Sequence, residues 1–448
     1  MSFWSQNNVV AKDEEIAAPP RAEGSDNLEL KVRLHQRLLD ILNLSALDTI
    51  PREALRVDIR GAVTGLLTEE RRLLSPVQTD QLVEDILDEL LGLGPIEPLL
   101  KDPTVSDILI NTHEHVYVER AGRLEETTVR FQDTRHLVRI INKIVAAVGR
   151  RVDESQPMVD ARLADGSRIN AIIPPLAVDG PLVSIRKFAK VPINMDKLVD
   201  LGSISPEMAL VLKSVVQARR NVLISGGTGS GKTTLLNALS AFIDHAERIV
   251  TIEDSAELQL QQPHVGRLET RPSNIEGKGE VTQRDLVKNA LRMRPDRIIV
   301  GEVRTGEAFD MLQAMNTGHD GSMTTVHANT PRDALSRVEQ MVGMAGLDIS
   351  ARATRGQIAS AIHVVVQAER LEDGRRKVVS VSEIVGMEED VISMQEIYRF
   401  KRQGIGKDGA VLGDFETTGV RPRFMDVLAA RGIELPGIVF AQPPRRGF

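Results

Sequence analysis

The residues best equipped for chemistry lie in GGTGSGKTT, 226–234. Gly226, four intervening residues and Gly231-Lys232-Thr233 match G-x-x-x-x-G-K-[ST], a loop built to cradle phosphates. Its glycines, Gly226, Gly227, Gly229 and Gly231, leave room for backbone N–H groups to turn inward on a phosphate chain. Lys232 places a point charge on the β- and γ-phosphates, and the Thr233 hydroxyl is suited to Mg²⁺. Thr228, Ser230 and Thr234 complete the loop. NVLIS (221–225) reads as a buried strand and LLNALSAF (235–242) as a helix, so the phosphates would meet a helix N-terminus. The expected cofactors are ATP and Mg²⁺.

Three further stretches carry polar residues at strand ends. TIEDSAEL (251–258) closes a strand with Glu253, Asp254 and Glu257. Carboxylates at the C-terminal edge of a strand beside a phosphate loop are where a metal and an attacking water would sit. RIIVGEVR (297–304) ends a second strand in Glu302, where a usual Walker B strand ends in Asp. GHDGSMTTVHANT (318–330) adds His319 and His327, candidates for sensing the γ-phosphate or coupling subunits.

These groups need a scaffold. From residue 205 onward strands and helices alternate: NVLIS, RIVTIED, RIIVGE, SMTTVHA and HVVVQ, the pattern of a parallel sheet covered on both faces. Before it, 101–190 reads as an α+β domain of short, mostly antiparallel strands, interrupted by a helix at about 134–149 with Val148 inward. Residues 191–204 read as a linker, and 383–448 as a tail with little legible chemistry. Residues 28–100 read as a three-helix bundle: Leu34, Leu38, Ile41 and Leu42 share one face, Leu55, Ile59, Val63 and Leu66 a second, and Val83, Ile86 and Leu87 a third. Its three apolar faces mark it as self-contained and removable without opening the catalytic core. Residues 1–27 mix Ala, Pro, Gly and charges without period, the signature of a disordered tail. The fold class is α/β: a RecA-like domain preceded by an α+β domain and a helical bundle.

Composition narrows the function. With 63 acidic against 56 basic residues the net charge is −7, and aromatics make up 3%. Neither a basic field nor stacking platforms invite nucleic acid. Cysteine is absent, which excludes disulfides and cysteine-ligated metals. No apolar run approaches the roughly 18 residues of a membrane span, and no signal peptide is legible, so a cytoplasmic protein is expected.

The phosphate loop, the acidic TIEDSAEL, the Walker B variant VGEVR and the histidine-bearing GHDGSMTTVHAN, in this order, resemble the secretion ATPase superfamily of type II and type IV secretion and type IV pilus motors. NIEGKGEVTQRDLVKNALRMRPDRIIVGEVR (274–304) looks most like the CpaF/TadA branch, which drives Tad (Flp) pilus assembly. The resemblance implies a homohexameric motor that holds nucleotide between the two catalytic domains. It also implies TadB/TadC-like platform proteins as partners at the inner membrane. Carried over by position, Glu257 is the favoured general base with Glu253 in support, Glu302 organises Mg²⁺ through water, and His319 and His327 form the histidine box. Related motors send arginines from the N-terminal sheet onto the nucleotide. Arg168 and Arg186 are favoured for that role over Arg162, Arg271, Arg292 and Arg294. A type IV secretion traffic ATPase, a RecA-type nucleic-acid motor and a nucleotide-gated scaffold without turnover remain the alternatives.

Overall fold

Helix-forming apolar spacing in the first hundred residues gives the helices Arg52–Glu69 and Pro76–Leu90, and the described residues among 30–38 are helical too. Leu55, Ile59, Val63 and Leu66 of the first pack with Val83, Ile86 and Leu87 of the second, together with Leu30, Leu34 and Leu38. Ser75 stops the second helix from fraying: its hydroxyl accepts from Gln78 N while the Gln78 side chain accepts from Ser75 N, a capping box. The computed structural model describes residues 30–31, 33–34, 37–38, 51–163, 165–188, 192–271, 273 and 278–440. Ile41, Leu42 and the tail at 1–27 lie outside the described residues.

Short alternating strands come next: β1 (Val105–Ile110), β2 (Val116–Arg120), β3 (Arg123–Glu126), β4 (Met158–Arg162), β5 (Arg168–Ile172) and β6 (Leu182–Arg186). They pair antiparallel in the order β3-β2-β1-β6-β5-β4. The period of two turns Ile108, Ile110, Val118, Ile169 and Ile185 into one core with Leu137, Ile140, Ile141 and Ile144 of the helix Thr134–Ala146. That helix ends at Ala146, and Val148 is exposed rather than inward.

The helical segment is not self-contained. His136 Nε2 stands 3.0 Å from Glu89 Oε2 with both side chains buried, and Lys143 Nζ donates to Gly92 O at 2.6 Å. Helices and antiparallel sheet belong to one compact unit, Met1–Lys187, and the second unit is Phe188–Phe448. The expected linker at 191–204 is also corrected. Its helix Met195–Asp200 and Ile204 bury Met195, Leu198 and Ile204 in the core of the second unit.

In the second unit β7 (Val222–Gly226), β8 (Ile249–Glu253), β9 (Val265–Glu269), β10 (Arg297–Val303), β11 (Met323–Val326) and β12 (Val364–Arg370) run parallel in the order β12-β7-β11-β10-β8-β9. The phosphate-loop strand thus lies centrally, as in RecA-like sheets. Alternate residues enter opposite layers. Val222, Ile224 and Ile299 pack with the helices Pro206–Gln217 and Lys232–Ser240. Leu223, Ile298 and Val300 pack with Glu307–Asn316, Pro331–Gly343 and Ala351–Ala361. The expected tail instead continues the sheet as β13 (Arg376–Glu388), β14 (Val391–Ile405) and β15 (Val411–Thr417), antiparallel to one another and to β12. Among the described residues, no helix is long and apolar enough to cross a membrane.

Candidate nucleotide site

β7 delivers the phosphate loop to the C-terminal edge of the parallel sheet, and the helix Lys232–Ser240 starts directly from it. Gly229 and Gly231 take φ of +67° and +92°, a backbone that only glycine adopts without strain. A Cβ on Gly226 would lie 2.4 Å from both Ala368 O and Ser230 Oγ, so the loop is tightly wedged against β12. Ser230 Oγ donates to Gly227 O at 2.9 Å. Lys232 Nζ donates to Gly226 O and Gly227 O, each at 3.0 Å. Burial pulls the Lys232 ammonium below its ordinary value; Glu302 opposes this and Arg304 adds to it.

β10 and β8 run side by side with Val300 beside Ile252, which sets Glu302 and Glu253 at neighbouring strand ends. Glu253 is buried, and its Oε2 accepts from Glu257 N (2.8 Å) and Leu258 N (2.9 Å). It therefore shapes the turn that carries Glu257. Burial pushes the Glu253 carboxyl above the usual range, against those two donors. Its Oε1 is buried without a hydrogen-bond partner, an acceptor waiting for a donor.

Arg304, not singled out among the sequence candidates, turns out to be central. Its Nε and Nη2 donate to Glu302 Oε2 at 2.9 and 2.6 Å, and its Nη1 donates to Asp254 Oδ2 at 3.1 Å. The signal was available: strand alternation puts residues 302 and 304 on one face. Glu307 fixes the turn after β10, accepting from Arg304 N at 2.5 Å and Thr305 N at 2.8 Å. A pair of arginines also escaped the sequence. Arg370 and Arg376 face each other across β12 and β13, and Arg376 Nε donates to Gly229 O at 2.8 Å.

The two histidines do not come together. β11 runs parallel to β7 with Met323 beside Val222 and Val326 beside Ser225. His327 comes directly after β11 at the phosphate-loop edge, in a segment whose Ala328 O accepts from Ser225 Oγ and Gln367 Nε2. His319 precedes β11 at the opposite end of the sheet, where its ring and backbone N lie 3.3 Å from Ala314 O. β11 thus separates the two: His327 lies at the phosphate-loop edge and His319 at the other edge of the sheet.

The arginines of the antiparallel sheet form a row. Asp107, Arg186, Arg168 and Arg162 are successive cross-strand partners on β1, β6, β5 and β4. Arg186 Nε donates to Asp107 Oδ1 at 3.2 Å, and Arg162 Nε to Gly166 O at 3.3 Å. The other three arginines are held locally or constrained: Arg271 Nε donates to Gly279 O, Arg292 Nη1 donates to Lys288 O, and Arg294 takes a φ of +54°.

The residues of the second unit fit a nucleotide and a divalent metal. A cradle that a Cβ would fill, a lysine at its rim and the Thr233 hydroxyl adjoin a strand edge bearing Glu302 and the unpartnered Glu253 Oε1. Such an arrangement can hold a polyphosphate, neutralise it and accept a proton from water.

Comparison with known proteins agrees. Residues 89–396 match the family model described as Type II/IV secretion system protein. A protein of Mycobacterium tuberculosis (strain ATCC 25618 / H37Rv) named for conjugal transfer is 39% identical over 332 residues, 73% of this chain and 93% of that one. The type IV secretion system protein VirB11 of Bartonella henselae is 33% identical over 343 residues, 66% of this chain and 93% of that protein. Among solved structures, the VirB11 ATPase of the Brucella suis type IV secretion system, in complex with sulphate, is 29% identical with a TM-score of 0.35, covering 64% of this chain and 94% of that chain. The ATPase DotB of Legionella pneumophila is 24% identical with a TM-score of 0.46, covering 62% and 76%. With more than half its length inside the family model and a phosphate loop, acidic turn and Walker B strand on one sheet edge, the chain belongs to the type II/IV secretion system protein family and is an ATPase.

Proposed function

We propose that the chain is the ATP-hydrolysing subunit of a homohexameric motor that powers Tad-type pilus assembly at the inner membrane, acting on TadB/TadC-like platform proteins. The observation that carries its chemistry is the meeting of Lys232, Glu302, Arg304, Asp254 and the Glu253–Glu257 turn at one sheet edge. Lys232 would leave its loop carbonyls for the β- and γ-phosphates, and Thr233 and, through water, Glu302 would hold Mg²⁺. When bound, that ion would offset charge on the phosphates as the γ-phosphoryl transfers. Glu257, held by Glu253 through its backbone N–H, takes the proton of the attacking water. His327 senses the γ-phosphate from the loop after β11, while His319 fixes the chain before β11. Arg168 and Arg186 disperse transition-state charge.

The Tad branch is supported by the residues at 274–304 and by the helical segment ahead of the sheet. A second reading, a type IV secretion traffic ATPase with the same chemistry and another client, is favoured by the names of the relatives, conjugal transfer and VirB11. Two measurements test these readings. The purified full chain should hydrolyse MgATP, Lys232→Ala should lose nucleotide binding, and Glu257→Gln and Glu302→Gln should bind but not turn over. Normal turnover in Glu302→Gln removes the metal role of Glu302. In cells, a deletion strain that lacks surface pili but still transfers DNA supports the Tad reading. The reverse result supports the traffic ATPase.

A further inference from the structure

Arg304 bonds to the carboxylate that the proposed reaction needs for its metal. Both Nε and Nη2 converge on one oxygen, Glu302 Oε2, and Nη1 reaches the end of the neighbouring parallel strand at Asp254. Charge-assisted bonds of this kind are short and directional. They neutralise two carboxylates that would otherwise repel each other across β8 and β10. The same guanidinium is near enough to Lys232 to disfavour its charge, so the edge of the phosphate loop already holds two cations. A divalent cation held through water on Glu302 would meet a carboxylate whose charge the guanidinium already offsets through Oε2. Asp254 remains for Arg304 to keep, and Glu257 lies within its electrostatic reach.

We propose that Arg304 is a positioning residue that latches Glu302 to Asp254 until metal and nucleotide arrive, so that guanidinium and metal compete for one carboxylate. This rests on the reading of Glu302 as the metal-organising residue. The latch makes productive nucleotide binding depend on metal more steeply than the phosphate loop alone would. Arg304 is more than half exposed, at 60% for its side chain, so the latch is weak enough to open. Its backbone is independently fixed by Glu307, which accepts from Arg304 N, so removing the guanidinium leaves the loop in place.

The test is nucleotide binding without turnover. A fluorescent ADP analogue is titrated into the full-length protein at a series of free Mg²⁺ concentrations. Arg304→Gln should lower the half-saturating Mg²⁺ by about two- to fivefold, the range of an exposed ion pair. Arg304→Lys, which offers one point charge instead of a fork, should fall between. In a Glu302→Gln background the effect of Arg304→Gln should vanish, because the shared carboxylate is gone. An unchanged or higher Mg²⁺ requirement in Arg304→Gln, with Glu302→Gln alone shifting the requirement, overturns the latch and leaves the metal reading standing. If Glu302→Gln alone shifts nothing, the metal reading fails, and the latch fails with it. Thermal midpoints of each variant guard against misfolding, and Arg304→Lys serves if Arg304→Gln does not fold.

Discussion

A Cβ on Gly301 would stand 2.9 Å from the Cγ of Glu253, and the φ of Gly301 lies outside the left-handed region. The glycine is therefore required by its neighbour and not by its own backbone. Glu253 is tethered through Oε2 to Glu257 N and Leu258 N, so it cannot retreat without releasing that turn.

Gly301→Ala should accordingly act on turnover before it acts on binding. Overpacking a core by one methyl costs about 1–3 kcal/mol of stability. The displaced Glu253 would move Glu257 off its position while leaving the phosphate loop untouched. The expected result is a kcat lowered by about tenfold or more with nucleotide affinity within about threefold of wild type. Equal loss of affinity and kcat would show that the pressure is relieved toward the loop instead.

The arginine row offers a sharper separation of roles. Arg168 has an arginine directly opposite on each side, Arg162 and Arg186, and like charges in facing positions destabilise a sheet. Asp107 meets the row at its Arg186 end. If the row exists to meet phosphate charge, Arg168→Lys and Arg186→Lys should lower turnover strongly, toward the about 10³-fold that a charge-dispersing arginine supplies. The thermal midpoint should hardly move. A midpoint that falls in step with activity would assign these side chains to the sheet alone.

Much of this site was legible because phosphate chemistry dictates local spelling. The loop, its lysine and the carboxylates at strand ends follow from sequence spacing, and the parallel direction of β7, β8, β10 and β11, though not their order in the sheet, follows from strands alternating with helices. What was missed depends on contacts between distant positions. Arg304 closes the VGEVR motif, but its partner Asp254 lies fifty residues away in sequence and no spacing announces it. The separation of His319 from His327 needs the direction of β11, which a short motif does not state. The 191–204 segment read as a linker because of its proline, yet Met195, Leu198 and Ile204 seat it in the core.

His363 gives a prediction with a definite sign. Its Nδ1 accepts from Asn221 N at 2.9 Å, and Asn221 Oδ1 accepts from Gly321 N and Ser322 N, tying the start of β7 to the loop before β11. Burial, helped by the nearby Arg220, lowers the His363 pKa from its ordinary value to about 3. A base with a depressed folded-state pKa contributes stability that is present above its ordinary value and lost as pH falls toward the folded one. Between pH 7.5 and 5 the loss is about 2 kcal/mol, from 1.36 kcal/mol per unit over about 1.5 units. Glu253 and Glu383, both pushed up by burial, act in the opposite sense but are common to wild type and variant. Denaturant midpoints at the two pH values should therefore show wild type losing about 2 kcal/mol more than His363→Gln. Equal losses would mean that the ring is protonated in the fold without penalty.

The helical segment tests how far an apolar face can be trusted as a domain boundary. Gln132 N donates to His136 Nδ1 at 3.3 Å, which leaves the proton on Nε2 and directs it at Glu89. Glu89 lies on the helix Pro76–Leu90 and His136 on the helix under the antiparallel sheet, so one buried bond joins the two. A protein truncated to begin at Leu93 keeps His136 and deletes its acceptor. An orphaned buried donor costs about 1–3 kcal/mol, and Ile140, beside the turn at Gly94, loses cover as well. The truncated chain should show a lowered first unfolding transition. Nucleotide binding should persist, because the two cores around the phosphate loop draw their residues from 195 onward. Glu89→Ala should reproduce part of that loss in the full chain, and Glu89→Gln, whose carbonyl still accepts from Nε2, much less of it. An unaltered first transition in the Leu93 truncation would restore the helices to the status of a separable bundle.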